Sequence, residues 1–111
     1  MGKGSGLRAY ANKRDKAEAD IVDALRQAGC SVVRMDKPCD LLVGHRRATY
    51  LVEVKTGKGK LTDSQSDFTK TWKGSPVFII RDVDGVLETL KLWNAISPSS
   101  LPDNSGRKVA A

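Results

Sequence analysis

The chain has 111 residues, 40% hydrophobic and 29% charged, and its 19 Lys and Arg against 13 Asp and Glu give a net charge of +6. That length makes one domain with a modest core. No apolar run is long enough to span a bilayer, and the Gly- and Lys-rich start lacks the apolar stretch of a signal peptide, so a cytosolic setting is expected.

The basic balance points to a polyanionic partner, most commonly nucleic acid. An acidic membrane surface is the alternative, but no strongly amphipathic basic helix with large apolar anchors is present. The two cysteines, Cys30 and Cys39, do not have zinc-ligand spacing, and the single histidine, His45, cannot complete a tetrahedral set. Both are read as small, partly buried free thiols in a reducing compartment.

In chain order, residues 1–11 read as a flexible basic arm. A helix is expected from Asn12, which can cap, with Asp15 three residues on. Ala17, Ile21, Ala24, Leu25 and Ala28 recur at helical spacing, and Gly29 is a natural stop. Glu18 lies three, four and seven positions before Ile21, Val22 and Leu25, so it points toward the buried side. An inward carboxylate needs a partner, unless it reaches water at the edge of the stripe.

Ser31–Met35 is a first strand. Asp40–Gly44 and Thr49–Lys55 read as two more, joined by a basic loop from His45 to Ala48 that holds Arg46 and Arg47. Antiparallel pairing across that loop sets Asp40 opposite Glu53. Side chains alternate along a strand, so Asp40, Glu53 and Lys55 then share one face. The residues alone leave two readings open. One is a solvated hairpin face with a local salt bridge. The other is a divalent-metal site, because hard cations take carboxylate, water and phosphate oxygens and a neighbouring lysine can position water and offset phosphate charge. His45 is expected to be a surface loop residue.

Thr56–Lys60 is Gly- and Lys-rich and follows Lys55 directly. It reads as a loop in which Gly57 and Gly59 let the backbone approach phosphate while Lys58 and Lys60 grip it. Thr62 with Gln65 forms a capping box that opens a helix to about Trp72, whose Phe68 and Trp72 are expected to pack on the sheet. Val77–Ile80 reads as a strand covered on both faces. Asp82–Asn94 reads as a last helix with the stripe Val83, Val86, Leu87, Leu90 and Trp93. Part of that stripe must cover the sheet, and the rest, with the edge of the Val77–Ile80 strand, is a candidate twofold interface. Residues 97–111 read as a disordered tail.

The order helix, three strands, helix, strand, helix carries four short motifs. They are Arg14-Asp15-Lys16-Ala17-Glu18 followed by Leu25 and Gly29, Asp40-Leu41-Leu42-Val43-Gly44, Glu53-Val54-Lys55, and Leu61-Thr62-Asp63-Ser64-Gln65. Over residues 12–82 this resembles the PD-(D/E)xK nuclease superfamily, closest to the virus-type replication-repair nuclease domains and more distantly the Holliday junction resolvases. The family usually has Pro before the first acid. Here Cys39 stands there, with Pro38 one place earlier.

The resemblance implies an α/β, restriction-endonuclease-like domain over residues 12–96 around a small mixed sheet. It implies Mg²⁺, replaceable by Mn²⁺, held by Asp40, Glu53 and the Val54 carbonyl, with Glu18 completing the site directly or through water. Lys55 would position the attacking water, and Gln65 would lie at the edge of the site. Arg14, Arg46, Arg47, Lys58 and Lys60 would contact DNA. The implied enzyme is a cytoplasmic, phage-encoded or bacterial endonuclease that cuts branched DNA such as four-way junctions as a homodimer. A nickase or general endonuclease with the same site, and a non-catalytic DNA-binding module, are the alternatives.

Overall fold

The computed structural model describes residues 16–96 and 104. The expected basic arm, the Asn12 cap with Arg14 and Asp15, and the expected tail apart from residue 104 lie outside the described residues. Helix α1 is seen over residues 16–27. It is followed by β1 (Ser31–Arg34), β2 (Leu41–His45), β3 (Ala48–Val54), α2 (Asp63–Thr71), β4 (Phe78–Ile80) and α3 (Val83–Ala95). The elements thus come in the expected order, as a small α/β fold with a mixed sheet. Among the described residues no helix is long and apolar enough to cross a membrane.

The sheet runs β1-β2-β3-β4, with β1, β2 and β3 antiparallel and β4 parallel to β3. Cross-strand partners share a face. One face carries Val32, Leu41, Val43, Tyr50, Val52, Val54 and Ile80, all buried against Ile21, Val22 and Leu25 of α1 and Val86 and Trp93 of α3. Trp93 is fully buried. Its ring stacks on Tyr50 at 4.2 Å, and Phe78 meets it edge-on at 5.5 Å. Aromatic geometry of this kind adds to simple burial.

The other face is only partly covered: Val33, Thr49 and Ile79 are exposed, Leu42 and Leu51 half-buried, and Glu53 buried. Phe68 and Trp72 do not seal it: they stack on each other at 5.3 Å, and α2 buries none of its residues. Against the expectation that it packs on the sheet, Trp72 is 47% exposed and faces Leu42 and Leu51 across a cavity, while Phe68 is half-buried. The expectation that Val77–Ile80 is covered on both faces is corrected too. Here β4 is an edge strand of three residues, with Phe78 and Ile80 turned to the core and Ile79 exposed on the open side. The α3 stripe divides as expected in part: Val86 and Trp93 are buried, whereas Val83 and Leu87 remain exposed.

The hairpin keeps the expected register but closes one pair further. His45 pairs with Ala48 inside the ladder, leaving Arg46 and Arg47 as a two-residue turn. Both have positive φ, 51° and 73°. Such a turn matches the twist of the strands but needs the left-handed region at both positions, which Asn-Gly adopts more cheaply than Arg-Arg. Replacing Arg46-Arg47 by Asn-Gly is therefore expected to stabilise the fold by about 1 kcal/mol, roughly 5 °C in Tm by thermal unfolding. A fall in Tm would count against strain at this turn.

Candidate functional site

The register that pairs Leu41 with Val52 carries Asp40 and Glu53 onto facing positions when extended by one residue. Alternation sends both to the open face, and Lys55 with them. Met35 N–H donates to the Asp40 carbonyl at 2.7 Å, so the β1–β2 ladder continues to the site. The Val54 N–H donates to Asp40 Oδ2 at 2.7 Å, which fixes that carboxylate against β3. The expected grouping of Asp40, Glu53 and Lys55 is present.

Glu53 is 1% exposed, the one buried charged residue of the described chain. Its side chain shares a hydrogen bond with Asp40, while its Oε1 has no partner. Burial, the hydrogen bond from Asp40 and the charge on Asp40 together push its carboxyl up to about 8, although Lys55 pulls the other way. Two carboxyl groups this close do not both ionise readily, and the pair holds a proton through neutral pH. Cys39, buried beside them, has its thiol pushed up to about 11, first by burial and then by the charges of Glu53 and Asp40. It is neutral at the position where the family pattern has Pro. Cys30 and Cys39 are both free and buried, as expected.

Glu18 is paired with Arg34. Arg34 Nε donates to its Oε2 at 3.0 Å. Arg34 pairs with Leu41, on the face that α1 covers, whereas Asp40 and Glu53 alternate onto the other face. Among the described residues no three His, Cys, Asp or Glu side chains gather into a metal-holding group. Gln65 works as a cap: its Oε1 accepts from Thr62 N–H at 2.9 Å, and its own N–H donates to Thr62 Oγ1 at 3.3 Å.

After Lys55 the chain enters the Gly- and Lys-rich loop, with Gly57 at φ 58° and Lys58 and Lys60 exposed. Arg81, directly after β4, donates to the carbonyls of Gly57 at 2.9 Å and Gly59 at 2.7 Å. Arg81 thus latches the loop beside the site. Sequence gave no signal for it, because the contact joins segments that meet only through the parallel β3–β4 pairing.

His45 is not the expected surface loop residue. It ends β2 and is half-buried. Its Nε2 donates to Asn94 Oδ1 at 2.8 Å, leaving Nδ1 to accept from the Cys30 thiol at 3.5 Å. Arg46 Nη1 also donates to Asn94 Oδ1, at 3.3 Å. These contacts clip the hairpin turn to the end of α3, so Arg46 has a structural partner on the far side of the sheet from Asp40 and Glu53. The chain matches no protein-family model, no curated protein and no solved structure.

Glu53 makes stability depend on pH in a stated direction. Its folded pKa lies above its unfolded value, so the folded state binds more protons between about 4.5 and about 8. Stability from this group is full below the lower value and is lost as pH rises through the upper one. Glu53→Gln removes the cost of that charge. In metal-free buffer the variant is expected to melt at the same temperature as wild type at pH 5 and several degrees higher at pH 9. Parallel melting curves at both pH values would show that the carboxyl is not strained.

Proposed function

We propose that the chain is a metal-dependent DNA endonuclease with a restriction-endonuclease-like fold of the PD-(D/E)xK type, acting on branched DNA such as four-way junctions. The observation that carries this reading is the Asp40–Glu53 pair, with Glu53 buried and one of its oxygens unbonded, on one face with Lys55. A buried carboxylate without a full set of partners is costly, and hydrophobic residues of similar volume often serve stability as well or better. The element order and the mixed sheet agree with the resemblance.

A divalent cation fits these residues. It would take the place of the shared proton and satisfy the orphaned oxygen. Two carboxylates, the Val54 carbonyl and water form the kind of oxygen set that Mg²⁺ or Mn²⁺ accepts. When bound, the ion would supply a more acidic water and charge compensation at the phosphate.

The chain's own residues do the rest. Asp40 is held in orientation by the Val54 N–H. Lys55 positions the attacking water and offsets charge that develops on the phosphate oxygens. Lys58 and Lys60, on the loop latched by Arg81, hold neighbouring phosphates. Glu18, engaged by Arg34 on the α1 side, is given no ligand role in this arrangement.

Recognition rests on backbone and shape, since the described fold carries no separate base-reading module. A junction has two strands to cut, which suits a twofold pair of sites. Val83 and Leu87 on α3, with Ile79 on the edge strand, supply exposed apolar surface for a homodimer.

Cleavage of a four-way junction, a nicked circle and a linear duplex tests the reading. Activity is expected with Mg²⁺ and none with excess chelator, and Asp40→Asn and Glu53→Gln should each be inactive but folded. Mg²⁺ should raise the Tm of wild type and leave Glu53→Gln unmoved. Activity that survives the chelator would sink the metal-nuclease reading. Light scattering tests the assembly: a strict monomer, on and off DNA, would favour a nickase over a junction resolvase.

Binding and chemistry should separate. Lys55→Met is expected to cut slower by orders of magnitude while binding DNA with little change. Lys58→Ala with Lys60→Ala should weaken binding to all sequences and flatten the slope of log affinity against log salt by roughly 1.8. An unchanged slope would remove the loop from the DNA interface.

A further inference from the structure

The open face of the sheet holds more than the acids. Beside them runs an apolar groove of about 420 Å³, lined by Leu42 and Leu51 from the strands and by Met35, Pro38 and Trp72 around them. Leu42 is two residues past Asp40, and Leu51 is two residues before Glu53. The groove therefore begins about 6.6 Å from the acid pair along both strands.

The Trp72 wall is held in place. Its indole stacks on Phe68 at 5.3 Å. The Gly74 backbone passes so close that a Cβ there would meet the indole Nε1 at 2.6 Å, so a side chain at 74 would displace the ring. Yet Trp72 remains 47% exposed. An indole held by Phe68 and Gly74 yet half-exposed at the rim of an apolar groove fills no core and offers a stacking surface. Lys37 and Lys73, each the chain neighbour of a lining residue, are exposed, and the whole chain is cationic at +6.

We propose that this groove is a subsite for an unpaired nucleobase, stacked on Trp72 while a nearby phosphate of the same strand lies at Asp40, Glu53 and Lys55. The proposal rests on reading those three residues as a phosphodiester site. An aromatic platform beside a cationic track is how proteins hold single strands without reading sequence. The volume falls in the range of small-ligand pockets. A base inside a duplex is committed to its own stack and cannot enter. The occupant is therefore a single-stranded segment, and DNA with unpaired nucleotides beside the cut is selected over intact duplex. A second copy of the chain suits the groove less well, because it would bring the same lysines against Lys37 and Lys73.

The test is tryptophan fluorescence of the full chain in chelator at fixed salt, titrated with a short oligothymidylate and, separately, with a blunt duplex. Trp93 is fully buried, so changes report Trp72. The single strand is expected to quench the emission. Trp72→Ala, followed by fluorescence anisotropy of labelled DNA, should weaken single-strand affinity about tenfold, and Trp72→Phe should recover most of it. Duplex affinity should be the same in all three proteins, which also shows that the variants are folded.

Single-strand binding by Trp72→Ala equal to wild type overturns the proposal. So does quenching by duplex as strong as by single strand, or quenching that grows with protein concentration alone, as a second copy would produce. Mg²⁺-dependent cleavage with unaltered single-strand binding by Trp72→Ala removes the groove and leaves the nuclease. Trp72-dependent single-strand binding by a chain that never cleaves removes the nuclease chemistry and leaves the groove.

Discussion

The arrangement depends on one buried acid. Glu53 sits on β3 between Val52 and Val54, whose side chains enter the core on the opposite face. The strand therefore cannot slip by one residue without driving a carboxylate into the hydrophobic layer and two valines out of it. The same register that seals the core sets Glu53 against Asp40. Core packing and site geometry are thus specified by one set of pairings, and neither can drift without the other.

Much of this was legible in the sequence because it depends on alternation and local spacing. The Asp40–Glu53 register follows from the strand period, although the same pattern makes the loop two residues longer than it is. The ladder closes at His45–Ala48 because both arginines accept positive φ, which residue preference alone argues against. The capping box at Thr62 and Gln65 was legible for the same local reason. What was missed depends on distant segments meeting. His45 looked like loop until Cys30 and Asn94 were brought to its two nitrogens, and Arg81 gave no sign of its contact with the loop after β3. Helical periodicity brings Glu18 to the edge of the buried side, where it is half-buried beside Arg34, but it cannot say which face of the sheet α1 covers.

The two faces of the sheet divide the labour. Helices α1 and α3 take the core face, where Trp93, Tyr50 and Phe78 form an aromatic group. On the other face no residue of α2 is buried, and a groove remains beside the buried Glu53. A domain this small has little apolar surface to spare. Leaving part of a sheet face uncovered forgoes stabilisation that a packed helix would supply, as does burying an acid with an unbonded oxygen. Such departures from good packing tend to gather where a protein binds or reacts, and here both lie on the same face within two strand residues of each other.

That coincidence bears on how a nucleic acid would lie. The strands present, in sequence, the apolar pair Leu42 and Leu51, then the acid pair, then Lys55 and the lysine loop. A polymer that alternates apolar bases with charged phosphates can meet all three zones at once, with bases over the leucines and phosphates toward the lysines. An apolar peptide would leave the lysines unmatched, and a free phosphate would leave the groove empty. The order of residues along two paired strands thus favours a chain with a charged backbone and flat apolar side groups, entering with its bases unstacked from any partner strand.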